Sequence, residues 1–332
     1  MSAPLSGMEP ALAAMRSGHT VVASVSGGKD STAMCLALRE AGVDFEPVFM
    51  DTGWEHPATY EYLRDYLPGV IGPIRWLRAE VDVPERYRAD VEALEARLGH
   101  YSAFVRFSVR KGMFPSRMIR WCTQELKIFT MRRWLRTLDQ LAVSAQGIRA
   151  DESASRTTYP AWEQHDGDAA VWRPLLAWSV DDVVAVHRRH DVRPNPLYLR
   201  GASRVGCWPC IHARKAEIRM MADAEPGRVD ILREWEALLG RIALDRITEK
   251  GDKLVGRGVR RRRSELAPPG FFQAPSLRVE TDGVRDGSCW PIDRVVEWSR
   301  TSRGGRQTEL FAAPADREGC MRWGMCDVGV QP

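Results

Sequence analysis

The chain has 332 residues, a formal net charge of +4 and 44% apolar residues, which supports a large core and excludes an intrinsically disordered protein. No run of about 18 apolar residues occurs, so the sequence predicts no membrane span, and the amino terminus lacks a secretory signal pattern. Seven cysteines in such a chain indicate reduced thiols or metal ligands rather than a disulfide scaffold, and we expect a cytoplasmic protein.

Strands and helices are predicted to alternate through the first half of the chain. This alternation predicts an α/β fold with a doubly wound, mostly parallel sheet, in which ligands bind at the carboxyl ends of the strands. The predicted elements are a buried strand at 20–25, a helix at 31–39, a strand within 45–53, a helix at 56–67, a strand within 72–80, a helix at 124–138 and a strand with its loop at 141–153.

The pattern changes after residue 170. Ser179 is predicted to cap a helix, and a segment rich in Pro and Gly leads into a further helix before residue 222. Residues 250–292 have the composition of irregular structure. We therefore divide the chain into an amino-terminal extension at 1–19, a nucleotide-binding α/β domain at 20–170, a helical region with a Cys-x-x-Cys motif at 171–250, and an irregular Arg/Gly/Pro-rich region at 251–332.

A glycine-rich turn directly follows the first predicted strand. A strand, a glycine pair and a helix start bring backbone N–H groups and a helix dipole to one point, which favours a bound phosphate, and a lysine adds positive charge. The Walker pattern fails, because Ala23 stands where it requires Gly. The alternative is a tight turn that only links strand to helix. The residues of the turn are Ser26, Gly27, Gly28, Lys29, Asp30 and Ser31.

Polar residues also follow two later strands. Asp51, Thr52 and Gly53 end the second strand, where an adenosine contact is expected. A capped loop before the next helix is the alternative.

The segment Gly-Ile-Arg-Ala-Asp-Glu-Ser follows a later strand. Two arginines flanking two carboxylates can clamp a phosphate and a metal, or can form a solvated ion-pair loop. The residues concerned are Gly147, Arg149, Asp151, Glu152 and Arg156.

Five of the cysteines are candidate ligands. Cys207 and Cys210 form a Cys-Trp-Pro-Cys pair of the kind found in metal or redox sites, and Cys122 lies earlier in the chain. Three thiolates can hold an iron–sulfur cubane with one iron open, or a fourth ligand can come from Cys320 or Cys326. A four-thiolate zinc site, plain reduced thiols and a redox disulfide remain alternatives.

The glycine-rich turn resembles the PP-loop of the ATP pyrophosphatases, which cleave ATP between its α and β phosphates. Four further segments, DTGWEHPATYEYL, RWCTQELKI, GIRADESASR and NPLYLRGASRVGCWPCIHARKAEI, resemble the phosphoadenosine phosphosulfate (PAPS) reductase branch of that superfamily. The resemblance runs from residue 20 to about residue 220 and implies an adenine nucleotide alpha hydrolase-like fold. It favours functional roles for Gly147, Arg149 and Arg156.

The resemblance also implies cofactors. It implies ATP with Mg²⁺, and a [4Fe-4S] cluster on Cys122, Cys207 and Cys210, with Zn²⁺ as the alternative. One departure is that Trp121 stands where the resembled reductases often carry the first cysteine of a Cys-Cys pair.

The complete loop resembles the ATP-cleaving members of the family, the small subunits of ATP sulfurylase and the sulfurtransferases of DNA phosphorothioation. It implies an enzyme that adenylylates an acceptor for sulfur transfer, with Lys29, Asp30 and Arg149 catalytic and Asp30 serving Mg²⁺ or loop geometry. The implied partners are a sulfur donor protein such as a cysteine desulfurase, and DNA or tRNA.

Two other functions remain open. One is a PAPS or APS reductase with a nucleophilic thiol near the carboxyl terminus, although Cys-Met-Arg-Trp-Gly-Met-Cys does not match the expected motif. The other is a nucleic-acid-binding module with a structural metal site.

Basic segments near the carboxyl terminus are candidates for binding a nucleic-acid acceptor. Residues 256–266 hold five arginines between 257 and 263, and 300–307 add more. These segments, with Arg106, Arg110 and Lys111, are either a phosphate-binding surface or a solvated face.

Overall fold

The computed structural model describes residues 3–164, 169–250, 269–273, 289–302 and 323, with only the backbone described at 247–250, 273 and 289. A six-stranded sheet in the order β3-β2-β1-β4-β6-β5 forms its centre, and all neighbouring strands are parallel except the β5–β6 pair. The strands are β1 (Thr20–Val25), β2 (Glu46–Asp51), β3 (Arg75–Arg78), β4 (Ala142–Gln146), β5 (Trp162–Glu163) and β6 (Ala170–Trp172), and a separate pair is formed by β7 (Phe272–Gln273) and β8 (Cys289–Trp290).

Helices cover both faces of the sheet and extend beyond its edge. Among the described residues, no helix combines the length with the apolar content that a bilayer crossing requires. The helices are α1 (Met8–Arg16), α2 (Lys29–Glu40), α3 (Pro57–Glu61), α4 (Leu67–Ile71), α5 (Arg88–Leu98), α6 (Ala103–Lys111), α7 (Trp121–Thr123), α8 (Phe129–Leu135), α9 (Val180–Arg189), α10 (Pro196–Leu199), α11 (Lys215–Ala224), α12 (Pro226–Lys250) and α13 (Ile292–Ser299).

The central strand β1 is apolar on both faces, as a strand covered by helices on both sides must be. Val21 and Val25 belong to the core formed with α2 and α9, whereas Val22 belongs to a smaller cluster on the opposite face. The strand spans the residues that the sequence predicted, and the mostly parallel α/β fold is confirmed. Ser179 caps α9, as predicted, by accepting a hydrogen bond from the N–H of Asp182 at 3.2 Å.

Two predicted helices form with an irregular turn inside them. The helix predicted at 56–67 is divided into α3, a π-helical turn at Tyr62–Tyr66 and α4, and Pro68, which has no N–H to donate, follows that turn. The helix predicted at 124–138 begins with a second π-helical turn at Gln124–Ile128 and ends at Leu135. Such turns place one extra residue in a helix and are frequent at functional sites.

A second core lies beyond the sheet, and three of its helices, α5, α6 and α12, were not predicted as individual helices. α5, α6 and α12 pack together there with α11 and α13, around a group of aromatic rings. Trp54 contacts Trp235 with ring centroids 5.1 Å apart, and Phe104 contacts Trp121 at 5.2 Å. Because Trp54 follows β2 and Trp121 precedes Cys122, this core fixes the segments that carry the site.

Glu236 attaches the carboxyl-terminal segments to α12. Its buried carboxylate accepts the backbone N–H groups of Phe271 at 2.8 Å and Ile292 at 2.9 Å. Burial raises the pKa of Glu236 to about 7, although the two N–H groups favour the charged form. A carboxyl group whose pKa is raised by folding stabilises the native state at low pH, and this stability is lost as the pH rises through the folded-state pKa.

We predict that Glu236→Gln removes this pH dependence. Folding raises the pKa of Glu236 from an ordinary 4.5 to about 7, and this shift corresponds to about 3 kcal/mol of stability that the wild type loses as the pH rises. Urea unfolding should therefore show that the stability of the wild type relative to the variant is higher at pH 4.5 and falls by up to this amount at pH 8. An equal difference at both pH values would contradict the assignment.

Candidate functional site

The loops that follow β1 and β4 meet at the carboxyl edge of the sheet. β1 lies between β2 and β4, and the chain changes direction across the sheet there, which is where open α/β sheets bind ligands. A Cβ atom at Gly147 would lie 2.8 Å from the carbonyl oxygen of Asp30 and 3.0 Å from the Cα of Ser31. Only glycine therefore allows the loop after β4 to reach the start of α2.

The turn after β1 has the geometry of a phosphate loop. Gly27 has a left-handed backbone with φ of 70°, and Gly28 precedes the first residue of α2 without a side-chain cap. Ser31 stabilises the turn from inside, because its hydroxyl donates to the Gly28 carbonyl at 3.0 Å and accepts the Ser26 N–H at 3.1 Å. The N–H groups of the first helical turn thus point to one place, with the positive end of the helix dipole behind them.

Lys29, Asp30 and Arg149 form one ionic network at this place. Arg149 Nε donates to Asp30 Oδ1 at 2.6 Å, and Lys29 Nζ lies 3.2 Å from Asp30 Oδ2. Arg149 is only 4% exposed. Burial lowers its pKa, but the charges of Asp30 and Asp151 outweigh this effect, so the pKa lies above the usual value. Both oxygens of Asp30 face cations, so its geometry favours the loop-ordering role over the magnesium role.

The rest of the loop after β4 is more exposed. Arg156 forms an ion pair with Glu152, and Glu152 also accepts the Arg149 N–H at 3.2 Å. Asp151 pairs with Arg149 from the solvent side. This loop is thus a buried arginine supported by carboxylates, with Arg156 in the surface ion pair that the sequence left as the alternative.

Asp51 and Gly53 hold the loop after β2 in shape. The Asp51 carboxylate, 2% exposed, accepts the Gly53 N–H at 2.8 Å, the Tyr60 hydroxyl at 2.9 Å and two N–H groups of Arg78. Gly53 has a φ of 71°, and a Cβ there would lie 2.4 Å from the Cα of Ser102. Asp51 therefore orders the loop and has its oxygens occupied by protein groups.

The same loop ends as a capped helix start. His56 caps α3, since its Nδ1 accepts the Ala58 N–H at 2.9 Å. His56 Nε2 lies 3.1 Å from a carboxylate oxygen of Glu225. The capped-loop alternative given for this segment is thus present in the structure.

The loop after β2 also contacts the Cys-Trp-Pro-Cys segment. Glu55 and Cys207 form an isolated β-bridge, and the indole N–H of Trp54 donates to the Pro209 carbonyl at 3.1 Å. The Thr52 hydroxyl donates to Glu55 Oε1 at 2.7 Å and lies 3.7 Å from the sulfur of Cys207. The Cys207 thiol faces Glu55 Oε1 at 3.9 Å. A buried carboxylate therefore stands beside this thiol.

Lys127 brings a positive charge to the thiols. Burial lowers its pKa, but the charges of Cys207, Glu55, Cys122 and Cys210 raise it above the usual value. Burial raises the pKa of Cys207 to about 12, and the positive charge of Lys127 opposes this rise. The lysine lies in the π-helical turn Gln124–Ile128 and favours the thiolate form of its neighbours.

The three thiols gather without forming a complete ligand set. Among the described residues, no group of three His, Cys, Asp or Glu side chains is arranged to hold a metal ion. Trp121 is a core residue that packs on Phe104 and Phe107. Cys320 and Cys326 lie outside the described residues. The three thiols are ligands of the kind that an iron–sulfur cluster or zinc uses, and both cofactors stay predictions.

Sequence reasoning missed two side chains at the phosphate loop. The Tyr198 hydroxyl accepts the Lys29 N–H at 3.1 Å, and Lys29 Nζ lies 5.2 Å from the centre of the same ring. His187 is 1% exposed, and burial lowers its pKa to about 4, so it is neutral. Tyr198 lies inside the segment NPLYLRGASRVGC, but no local pattern marks an approach across 169 residues.

The predicted polynucleotide contacts are only partly free. Arg106 makes a two-bond ion pair with Glu95, at 2.8 and 2.7 Å, and Lys111 lies 3.7 Å from Glu125. The Arg-rich segment 256–266 and residues 303–307 lie outside the described residues.

A parallel α/β sheet with a glycine-rich phosphate loop at its point of chain reversal defines a nucleotide-binding protein of the PP-loop class. The chain matches the family described as phosphoadenosine phosphosulfate reductase domain over residues 20–68 and 77–213. It therefore belongs to the PAPS reductase family of the PP-loop superfamily, whose named members are enzymes.

The chain is also similar to individual proteins. The chain is 33% identical to the "Uncharacterized 37.8 kDa protein in gpa 5'region" of Escherichia phage 186, over 90% of this chain and 93% of that protein. It is 25% identical to adenosine 5'-phosphosulfate reductase of Deinococcus radiodurans, over 57% of this chain and 64% of that enzyme. A crystal structure of PAPS reductase from Candida auris, a phosphate complex, aligns with a TM-score of 0.42 and 16% identity, over 62% of this chain and 90% of that one.

We predict that Gly147→Ala damages the phosphate site. The added methyl group would meet the Asp30 carbonyl at 2.8 Å, and overpacking of this kind costs about 1–3 kcal/mol. The free energy of unfolding in urea and the affinity for pyrophosphate should both decrease. Gly69→Ala is the matched control, because no atom lies within 4 Å of its added methyl group. Equal behaviour of the two variants would contradict the close approach.

We also predict that Lys127→Met slows the alkylation of Cys207. Loss of the ammonium group removes the charge that lowers the pKa of this thiol, so the alkylation profile should move to higher pH. Iodoacetamide labelling of metal-free protein across a pH series, read by peptide mass spectrometry, measures this change. Lys111→Met is the control, since Lys111 pairs with Glu125 instead. An unchanged profile would show that Lys127 does not act on the thiol.

Proposed function

We propose that this protein binds ATP in the phosphate loop, cleaves the α–β bond, and adenylylates an acceptor that then receives sulfur. One observation carries the proposal: a single short segment joins the phosphate loop to the thiols. Tyr198 contacts the Lys29 N–H, and the same segment carries Cys207 and Cys210 beside Lys127. A nucleotide-activated acceptor and a sulfur atom can therefore meet at one edge of the sheet.

The first step needs charge stabilisation rather than a nucleophilic side chain. An acceptor oxygen attacks the α-phosphorus, the bond from that phosphorus to the bridging oxygen breaks, and pyrophosphate leaves with the electron pair. Lys29, Arg149 and the N–H groups at the start of α2 neutralise the charge that develops on the phosphates. Magnesium bound with ATP would add to this charge neutralisation.

The second step uses the thiols to transfer sulfur. The sulfur is carried as a persulfide on Cys207, whose outer sulfur attacks the adenylylated atom of the acceptor, and AMP leaves with the oxygen. The Cys210 thiolate then attacks the Cys207 sulfur of the resulting disulfide, which releases the thiolated acceptor and leaves a Cys207–Cys210 disulfide for an external thiol to reduce. Lys127 opposes the rise in the pKa of Cys207 that burial and Glu55 cause, and the thiolate form of Cys207 would take the outer sulfur of a persulfide on a donor protein such as a cysteine desulfurase, releasing the donor thiolate.

Exposed arginines near the thiols support an anionic acceptor such as DNA or tRNA. Arg117, Arg120 and Arg204 are exposed, and their charges act together on His212, whose pKa is lowered first by burial and then by them. None of the three makes an ion pair with a residue in the described part of the chain. His212 follows Cys210 and donates its N–H to that sulfur at 3.5 Å.

Adenylyl-sulfate reduction is the second candidate. The name of the Deinococcus radiodurans relative favours it, since adenosine 5'-phosphosulfate carries the same adenosine and α-phosphate as ATP. In that reaction the site would bind the adenylyl-sulfate and a thiolate would attack its sulfur, with AMP as the leaving group.

Pyrophosphate release from ATP tests the leading function. We predict that purified protein releases pyrophosphate when its acceptor is present, and that Lys29→Ala lowers the rate roughly 100-fold or more by removing a charge from the leaving group. Lys215→Ala is the control, because Lys215 contacts Trp298 and Thr301 on another surface.

The substrates supplied to this assay separate the candidates. Release that requires added DNA or tRNA supports nucleic-acid modification. Absence of release with every acceptor, together with thiol-dependent sulfite formation from adenosine 5'-phosphosulfate, would overturn the leading function in favour of reduction.

A further inference from the structure

The hydroxyl group of Tyr198 lies beside the phosphate loop. Its oxygen is 3.1 Å from the N–H of Lys29, the first residue of α2, and a Cβ on Gly28 would lie 3.3 Å from the same oxygen. The oxygen accepts the backbone N–H of Lys29. The proton of the hydroxyl group therefore remains to be donated.

That proton has no acceptor among the residues that the structure describes. Burial raises the pKa of Tyr198, so the hydroxyl stays protonated at neutral pH and is a donor. The ring is 5% exposed and lies against the Lys29 ammonium group, which fixes its direction. A buried donor at the mouth of an anion-binding turn suits a phosphate oxygen.

Trp323 packs against the ring of Tyr198. Its indole is 5% exposed, its centre lies 5.9 Å from the Tyr198 ring, and it meets the His187 ring edge-on at 5.2 Å. His187 is fixed by a 2.8 Å hydrogen bond between Nδ1 and the Val183 carbonyl. Its Nε2 is buried and has no partner among the described residues. Trp323 thus packs against the tyrosine that contacts the phosphate loop.

We propose that Tyr198 donates a hydrogen bond to the phosphates of the bound nucleotide, and that Trp323 is a positioning residue that holds Tyr198 in place for this contact. The inference rests on the proposed nucleotide binding. It adds a ligand outside the glycine-rich turn and makes the affinity of that turn depend on a residue about 290 positions later in the chain.

A double-mutant cycle tests the proposal. Calorimetry would measure the binding of α,β-methylene-ATP to wild type, Tyr198→Phe, Trp323→Ala and the double variant. Loss of a hydrogen bond to a charged group should raise Kd about tenfold in Tyr198→Phe. If Trp323 acts through Tyr198, Trp323→Ala has a similar effect, the double variant is no worse than either, and Trp323→Phe retains most of the affinity.

Two outcomes would overturn the proposal: unchanged affinity in Tyr198→Phe, or additive losses in the double variant. Trp298→Ala, a tryptophan on α13 that stacks with Lys215, controls for the general loss of a large side chain. If the wild type does not bind the analogue, the proposed function fails separately. Hydrogen exchange at the Lys29 amide then still tests the coupling, because Trp323→Ala should accelerate it and Trp298→Ala should not, and equal exchange in both would refute it.

Discussion

The buried ion pair between Arg149 and Asp30 is the interaction on which the candidate site depends. It joins the loop after β4 to the first turn of α2, and it lies directly above the point where Gly147 lets the two backbones touch. A buried charge that loses its partner is costly, so neither loop can move away from the other without a large loss of stability. The phosphate loop is thereby held rigid before any ligand arrives. Such preorganisation reduces the free-energy cost of ordering the protein when a ligand binds.

The phosphate loop and the thiols share this rigid edge through different means. The phosphate side is ordered by charges, whereas the thiol side is ordered by backbone contacts and by the aromatic core around Trp54 and Trp235. Glu55 and Lys127 supply opposite charges at the thiols, and both are partly or wholly buried. The family is one of nucleotide-binding enzymes, and the proposed sulfur transfer uses the closeness of the phosphate loop to thiols whose pKa Lys127 lowers against the effect of burial.

Local sequence patterns were sufficient for the four strands β1 to β4 and for the phosphate loop, whereas β5 and β6 were not predicted. The strand at 20–25 is a short β-branched run followed by glycines, and its structure depends on neighbours along the chain. The helices α5, α6 and α12 were not assigned because their faces are buried by each other, so their pattern has a meaning only after packing. Tyr198 and Lys127 were missed for a related reason, since their roles come from approaches between distant segments. Asp51 was correctly located at the sheet edge, but its oxygens are used by Arg78, Tyr60 and Gly53.

The π-helical turn at Gln124–Ile128 has a consequence for how this family can diverge. Such a turn is equivalent to one residue inserted into an α-helix, and one residue corresponds to a rotation of about 100° around the helix axis. Deleting a single residue here would restore a regular helix and rotate Lys127 away from the thiols, while Cys122, which precedes the turn, would keep its place. Segment length can therefore switch the electrostatic character of the thiols in one evolutionary step. Relatives that keep every cysteine can therefore still differ in the pKa of those thiols.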